Sequence, residues 1–330
     1  MTTALESRTI TVALLGNPNT GKSTLFGALA GVRQRVGNYP GVTVEKRLGQ
    51  MTHDGRLYSL IDLPGTYSLA PRSPDEMVAV DVLLGRQSDA PEPDAILCIV
   101  DASNLERHLY MVSQALEFGK PVVVALNMMD IAKERGIQVN VERLQKHLGA
   151  PVVAIQAHRR EGLDSLRAAL AEAVRQPPPR PTALFPALFQ TEVERLEASI
   201  LEKGDGVGGA HHLPRYLVER LLLDSGGYVE ELLADRLQTS HWKQDLLESR
   251  ARLAAAGAPV PAIEAVARYA WVAKVLDGVV ARSAERPVTF SDRVDRVLTH
   301  RVWGMLVFVA LMMAVFQAIF RWSELPVSWV

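Results

Sequence analysis

Short apolar runs alternate with helical patterns over residues 10–175 of the chain. The runs have the length of buried strands, and the stretches between them have the spacing of helices that pack on one face. Alternation of this kind predicts an α/β domain with a mostly parallel sheet and helices on both faces. The predicted strands are 10–15, 57–63, 95–100, 122–126 and 152–155, and the predicted helices are 23–29, 77–84, 105–118, 141–148 and 163–174.

The pattern changes at residues 176–188, which are rich in proline. Proline cannot continue a helix, and a proline-rich stretch behaves as a stiff spacer. The next hundred or so residues show helical patterns with almost no strand signal, at 191–203, 214–223, 228–253 and 261–280. We therefore expect a tail at 1–8, an α/β domain at 9–175, a linker at 176–188, a small all-α domain at 189–285 and a further segment at 286–330.

The last segment contains an apolar run at 302–320 that carries no charged side chain. A helix needs roughly 20 residues to cross the hydrocarbon core of a bilayer, and this run is close to that length. A buried helix of a soluble domain is the alternative, but the run has no polar face. We predict a transmembrane helix here, in a fragment of a longer membrane protein or in a protein anchored by its end.

Charges on either side of this run predict its orientation. Arg293, Arg296 and Arg301 precede the run, whereas Arg321 alone follows it. Because segments rich in lysine and arginine stay in the cytoplasm, the residues before the run are expected there.

The composition gives no support for nucleic-acid binding or for cysteine chemistry. The 330 residues are 48% hydrophobic and carry a formal net charge of −1, so no overall positive field argues for nucleic acid. The one cysteine, Cys98, lies within an apolar run, which favours a buried thiol over a nucleophile or a metal ligand. One cysteine cannot form a disulfide within the chain, which fits a reducing compartment.

A phosphate-binding sequence follows the first predicted strand. Residues 16–23 read GNPNTGKS, the pattern G-x-x-x-x-G-K-[ST] between a strand and a helix. Backbone N–H groups of such a loop cradle phosphates, its lysine reaches the β- and γ-phosphates, and its hydroxyl ligates Mg²⁺. The candidate nucleotide-binding residues are Gly16, Asn17, Pro18, Asn19, Thr20, Gly21, Lys22, Ser23 and Thr24, with Ser23 also a Mg²⁺ ligand.

Two further motifs follow predicted strands. Asp62 and Gly65 form D-x-x-G, in which the carboxylate holds Mg²⁺ through a water and the glycine N–H contacts the γ-phosphate. Asn127, Met128 and Asp130 belong to N-x-x-D, whose carboxylate accepts hydrogen bonds from guanine N1–H and the exocyclic amine. Adenine lacks this pair of donors, so the motif predicts GTP rather than ATP.

Three further segments are expected to belong to the nucleotide-binding site, one at the guanine base and two as switch loops. Gln156 and Ala157 follow the last predicted strand, where a backbone N–H is expected to contact guanine O6. Residues 33–45 have the position of a first switch loop, and Thr43 is its candidate Mg²⁺ ligand when the γ-phosphate is bound. Residues 66–75 have the position of a second switch loop.

The glutamine that orients the attacking water in Ras-like enzymes is missing from its usual place. Thr66 and Tyr67 stand directly after the D-x-x-G motif instead. No arginine finger can be assigned either. Hydrolysis is therefore expected to be slow, or another group must supply positive charge and position the water.

Together these stretches resemble the FeoB family of prokaryotic ferrous-iron transporters. The resemblance rests on residues 16–31, on the sequences VGNYPGVTVEKR, DLPGTYSL and NMMD, and on two stretches outside the α/β domain, Ala267-Arg268-Tyr269 and SDRVDRVLTHRVWG. It implies a cytosolic GTPase domain in which Asn19, Lys22, Thr43 and Gly65 act in hydrolysis.

The resemblance also implies cofactors and partners. In potassium-activated members, the asparagine matched by Asn19 helps to bind K⁺ beside the phosphates, so slow, K⁺-stimulated conversion of GTP to GDP and phosphate is expected. The helical domain would slow GDP release, and a following permease would carry Fe²⁺ across the inner (cytoplasmic) membrane. The expected partners are GTP, the permease region of the same protein and the lipid bilayer, without nucleic acid; a homo-oligomer stays open.

The chain departs from the family at two points. Only the first membrane helix is present, so this chain alone is not expected to transport iron. Relatives often have Ser-Ala in place of Gln156 and Ala157, which leaves the affinity of that loop for guanine open. Two alternatives remain: a soluble Era-like, potassium-dependent GTPase acting in RNA modification or ribosome assembly, and a docking switch in which hydrolysis is incidental.

Overall fold

The computed structural model describes residues 8–31, 34–40, 42–87, 90–178, 184–202, 213–234, 241–282 and 290–322. The chain divides into two compact units, Met1–Arg282 and Ser283–Val330. Parts of the predicted tail, of the proline-rich linker and of the segment at 286–330 lie outside the described residues.

The centre of the first unit is a seven-stranded sheet. The strands of this unit are Ile10–Gly16 (β1), Gln34–Asn38 (β2), Glu45–His53 (β3), Arg56–Asp62 (β4), Ala95–Asp101 (β5), Val122–Asn127 (β6), Ile137–Val139 (β7), Val152–Ala154 (β8) and Val280–Arg282 (β9). The sheet order is β2-β3-β4-β1-β5-β6-β8, and β7 and β9 form a separate antiparallel pair. The strands from β4 to β8 in this order are parallel, which confirms the mostly parallel sheet predicted from the sequence.

The antiparallel edge of the sheet corrects the prediction of a loop over residues 33–45. Within that range β2 is a strand, and it pairs with β3, which in turn pairs with β4. The described side chains of β2 are exposed, and those of β3 alternate irregularly between buried and exposed. Neither strand has the continuous apolar run of a strand buried on both faces, so the hydrophobic pattern does not reveal them.

Helices cover both faces of the sheet. Alternate residues of a strand point to opposite faces, so Leu14 and Leu15 of β1 enter two different cores. The helices of the first unit are Lys22–Ala30 (α1), Pro74–Leu83 (α2), Leu105–Leu116 (α3), Met129–Glu134 (α4), Val141–Leu148 (α5), Leu163–Ala173 (α6), Ala187–Glu202 (α7), Arg215–Leu223 (α8), Tyr228–Ala234 (α9), His241–Ala255 (α10) and Val260–Leu276 (α11).

Helices α7 to α11 pack around a third core, which agrees with the helical pattern of this part of the chain. The predicted helix at 228–253 corresponds to α9 and α10, and residues 235–240 between them lie outside the described residues. The predicted helix at 261–280 is too long, because α11 ends at Leu276 and Val280 lies in β9. Gly278, with φ of 62°, turns the chain out of the helix, and a three-residue strand is too short to give a sequence signal.

The second unit contains two described helices, Phe290–Leu298 (α12) and Trp303–Trp322 (α13). In α13 the window Trp303–Phe320 has a mean hydropathy of 2.2 and none of it is buried within the structure. By length and composition, α13 can cross a membrane, and it coincides with the predicted transmembrane run.

Candidate nucleotide-binding site

The phosphate loop joins the end of β1 to the start of α1. Asn19 and Gly21 have φ values of 66° and 83°, which fold the loop tightly over the helix N-terminus. Within it, the Thr20 hydroxyl donates to the Asn17 carbonyl oxygen at 2.9 Å. Only glycine suits position 21, because a β-carbon there would collide with the side-chain amide of Asn127. The first N–H groups of α1 therefore point toward the space that the loop encloses.

Lys22 and Asp62 form a buried ion pair beside this loop. Burial raises the pKa of the Asp62 carboxyl, while the Lys22 ammonium and the Arg47 guanidinium act in the opposite direction. Arg47 is brought there by the β3–β4 register, in which it stands opposite Asp62. The ion pair places an ammonium group and a carboxylate at adjacent positions beside the loop.

The structure places other predicted phosphate-side residues around the same loop. Gly65 lies against it, since a β-carbon at Gly65 would stand 3.4 Å from the Pro18 Cα. Asn19, Ser23 and Thr24 are exposed at the rim, whereas Gly16 and Asn17 are buried. Thr43 is exposed, in a turn where Tyr39 N–H donates to the Val44 carbonyl oxygen, and it makes no hydrogen bond to the described residues. Thr43 is therefore not hydrogen-bonded to Ser23 or Asp62 in the structure.

Asn127 connects three of the predicted motifs. Its side-chain N–H group donates to the Thr20 carbonyl oxygen at 2.9 Å, and its Oδ1 accepts from the Ala157 N–H at 3.1 Å. Asn127 itself is buried at the end of β6. One amide side chain thus fixes the position of the base-side loop relative to the phosphate loop.

The base-side residues lie next to Asn127. Met128, with φ of 60°, is the N-cap of α4, and this turn places Asp130 in the first turn of the helix. Asp130 Oδ1 and Gln156 Oε1 are buried and have no hydrogen-bond partner among the described residues. A buried acceptor without a hydrogen-bond partner destabilises the folded chain by its desolvation free energy. These two oxygens therefore fit a ligand that carries N–H donors.

His158 was missed by sequence reasoning. Its Nε2 lies 3.6 Å from Asp130 Oδ2, and its ring is more than half exposed. The only available signal was its position directly after Gln156 and Ala157 in the base-side loop.

Gln114 of α3 was also missed, and it connects the segment after Gly65 to α11. Gln114 Oε1 accepts from the Leu69 N–H at 2.7 Å. Gln114 Nε2 donates to Ser68 Oγ and to Glu264 Oε1, each at 3.1 Å. The second predicted switch segment is therefore hydrogen-bonded, through one buried side chain, to the helical part of the unit.

Glu264 belongs to a buried cluster of charges between α3, α8 and α11. Arg220 and Arg268 both contact its Oε1, at 2.6 and 2.9 Å, and Arg268 also contacts Glu117 Oε2 at 2.8 Å. Burial alone would raise the pKa of Glu264, but the two guanidinium groups lower it to about 2. All four side chains are almost fully removed from solvent.

A mostly parallel sheet with its P-loop, D-x-x-G and N-x-x-D segments together at the carboxyl ends of the strands defines a P-loop GTPase domain. The family model described as "Ferrous iron transport protein B" matches residues 10–170. The Fe(2+) transporter FeoB of Legionella pneumophila (strain Paris) is 37% identical over 308 residues, which make up 92% of this chain and 38% of that protein. The chain belongs to the FeoB family.

Solved structures agree with this assignment. The cytosolic domain of L. pneumophila FeoB superposes with a TM-score of 0.65 at 37% identity, covering 82% of this chain and all of that structure. A GDP-bound crystal structure of an S. thermophilus NFeoB variant gives a TM-score of 0.68 at 32% identity, covering 82% of this chain and all of that structure. Family membership does not favour the Era-like alternative. The chain spans 38% of the length of the curated relative.

Proposed function

We propose that this chain binds and hydrolyses GTP, and that it is the nucleotide-dependent part of a ferrous-iron transporter. The observation that carries the proposal is the buried, unpartnered Asp130 Oδ1, held beside a phosphate loop through Asn127. A buried carboxylate oxygen at this place is suited to accept from guanine N1–H and the exocyclic amine. The Ala157 N–H, which donates to Asn127 Oδ1 in the structure, is the group that we assign to guanine O6, and the two acceptors would share it when guanine binds.

On the phosphate side, we assign Lys22 to the β- and γ-phosphates and the Gly65 N–H to the γ-phosphate. The loop residues from Gly16 to Thr24 supply the surrounding backbone N–H groups. Ser23, Asp62 and, after movement of its segment, Thr43 would hold Mg²⁺, which supplies charge neutralisation at the transferred phosphate. Hard oxygen donors are the ligands that Mg²⁺ prefers, and the Ser23 hydroxyl and the buried Asp62 carboxylate are donors of this kind.

We assign to Asn19 the binding of K⁺. Its side chain is exposed at the rim of the phosphate loop, where its amide oxygen can serve as a ligand to a monovalent cation. K⁺ would supply the positive charge that an arginine finger supplies in other GTPases.

Hydrolysis of GTP by the chain is expected to be faster in KCl than in NaCl at equal ionic strength, by about tenfold or more, because the cation stabilises charge that develops in the transition state. Asn19→Ala should lower the rate in KCl to the rate in NaCl. Phosphate release would be measured in both salts, with ATP as the second nucleotide.

Asn104→Ala is the matched control, since Asn104 is also exposed and its side chain makes no capping hydrogen bond. This control should keep the potassium effect. Equal GTP turnover in the two salts would remove K⁺ from the proposal while leaving GTP hydrolysis in place.

We further propose that α13 crosses the cytoplasmic membrane and that the first unit and α12 lie on its cytoplasmic side. The arginines before α13 outnumber those after it, which supports this orientation. Among the described residues, no group of three or more His, Cys, Asp or Glu side chains is arranged to hold a metal. We place Fe²⁺, the substrate that the relatives' name gives, in the region of the relatives that this chain does not span.

We propose, in addition, that the helical part slows GDP release through Gln114. Gln114→Met keeps the size of the side chain but removes its bonds to Leu69 and Glu264. A loss of about 1.4 kcal/mol of hydrogen-bond free energy corresponds to a tenfold change in a binding constant. Release of fluorescent GDP should therefore become faster by roughly tenfold. Gln176→Met is the control, because the Gln176 side chain is exposed and bonds to Glu172 on the surface. An unchanged release rate in Gln114→Met would remove Gln114 from this role.

A further inference from the structure

Helix α12 presents an apolar face to solvent immediately before the membrane-spanning candidate α13. Val294, Val297 and Leu298 are each between 37% and 49% exposed. Their spacing of three and four residues places them on one side of the helix, with Asp295 and Arg296 on the other. The described part of α12 is therefore amphipathic, and its apolar side is uncovered within its own unit.

The turn between α12 and α13 is short and structured. Only residues 299–302 separate the helices, and even fully extended this connection reaches roughly 18 Å from Leu298 to Trp303. The His300 ring accepts from the Val302 and Trp303 N–H groups, both at 3.3 Å, and thereby caps α13. The Thr299 N–H continues α12 by donating to the Asp295 carbonyl oxygen at 2.8 Å.

Close contact between the two helix ends fixes this turn further. The Leu298 carbonyl oxygen occupies the place where a β-carbon on residue 304 would stand, so that only glycine fits there. Because the junction is compact, α12 cannot move far from the level at which α13 enters the bilayer.

We infer that α12 lies on the cytoplasmic surface of the membrane, with Val294, Val297 and Leu298 buried in lipid at the boundary between headgroups and acyl chains. The inference rests on the proposal that α13 crosses the bilayer. A helix with one apolar and one charged face, held at that level, buries its apolar face about 5–10 Å into this boundary. Exposed Arg296 and Arg301 are placed to contact anionic headgroups.

The test uses the 330-residue chain in vesicles of phosphatidylcholine and phosphatidylglycerol, with a fluorophore attached to one introduced cysteine at a time. Val297→Cys reports the apolar face, Arg296→Cys the charged face and Val309→Cys the middle of α13. The native Cys98 gives little background, because it is fully buried and burial raises the pKa of its thiol to about 12. Quenching is measured with aqueous iodide and with lipids brominated on the acyl chain.

At position 297 we expect quenching by the brominated lipid and an iodide quenching constant about fivefold lower than at position 296. Equal iodide quenching at 296 and 297 would overturn the inference. Protection from iodide at 297 without quenching by lipid would also overturn it, since protein and not lipid would then cover the face. Absence of lipid quenching at 309 would overturn the membrane part of the proposed function and this inference with it. If lipid does quench at 309, α13 is in the membrane, and a negative result at 297 then counts against the α12 inference alone.

Discussion

Asp130→Asn is expected to lower the affinity for GTP by roughly 10³- to 10⁵-fold and to make xanthosine triphosphate (XTP) the preferred nucleotide. In the proposed site the Asp130 carboxylate accepts two hydrogen bonds from guanine, and asparagine replaces one acceptor by a donor. Xanthine carries a carbonyl oxygen where guanine carries its exocyclic amine, so the Asn amide matches it. Equilibrium titration of the variant with fluorescent GDP, in competition with GTP and XTP, measures the change.

A surface aspartate controls for the loss of charge alone. Asp164 is almost completely exposed on α6 and pairs only with Arg167, so Asp164→Asn should bind GTP as the unchanged chain does. Unaltered GTP affinity in Asp130→Asn would contradict the proposed guanine site. Restored hydrolysis with XTP would show, in contrast, that the phosphate side of the site is intact.

Arg268→Met is expected to destabilise the first unit by about 3–5 kcal/mol, which is the cost of leaving buried charges without their partner. Arg268 is completely buried and contacts Glu117, Glu264 and the Ser113 hydroxyl. Its loss leaves both carboxylates dependent on Arg220. Thermal unfolding followed by circular dichroism should show a midpoint lower by roughly 10 °C.

The pH dependence separates this effect from a simple packing defect. In the unchanged chain, the pKa of Glu264 is about 2, below its ordinary value of 4.5. Its ionised form therefore stabilises the fold fully above pH 4.5, and this stabilisation is lost as pH falls from 4.5 toward 2. In Arg268→Met the Glu264 carboxylate keeps Arg220 as its compensating charge but loses the second guanidinium, so it becomes neutral at a higher pH than in the unchanged chain. The difference in stability between the two proteins should therefore shrink as pH falls from 7 toward 4.

Arg167→Met serves as the control for this experiment. Arg167 pairs with an exposed aspartate on the surface of α6, and such pairs contribute at most about 1 kcal/mol. A destabilisation of Arg268→Met no greater than that of Arg167→Met would show that the buried cluster does not stabilise the unit.

The sequence predicts those parts of the site whose functional groups lie close together along the chain. The phosphate loop and the segments ending at Gly65 and Asp130 each place their groups within a few consecutive residues after an apolar strand. Gln114 could not be found in this way, because it bonds to residues 45 and 150 positions away. Its neighbours in the sequence form an ordinary amphipathic helix, in which one buried amide gives no signal of its partners.

The same distinction explains which parts of the fold were missed. The strands β1, β5 and β6 are buried on both faces and show as continuous apolar runs. The strand β2 lies at the edge of the sheet and β3 is its neighbour, and both carry exposed polar side chains; β9 is defined only by its pairing with β7. Helix positions were predicted well wherever one face carries the apolar side chains.

The pairing of β9 with β7 determines where the chain leaves the first unit. Although β9 follows the last helix of the helical part, it ends on the strand that directly follows α4, the helix that carries Asp130. A pull on the chain beyond Arg282 therefore acts first on the β7–β9 pair, next to the helix that carries Asp130. Under the proposed function, in which Asp130 binds guanine, a nucleotide that stabilises α4 would also stabilise this pair, and tension at Arg282 would in turn lower the affinity for guanine.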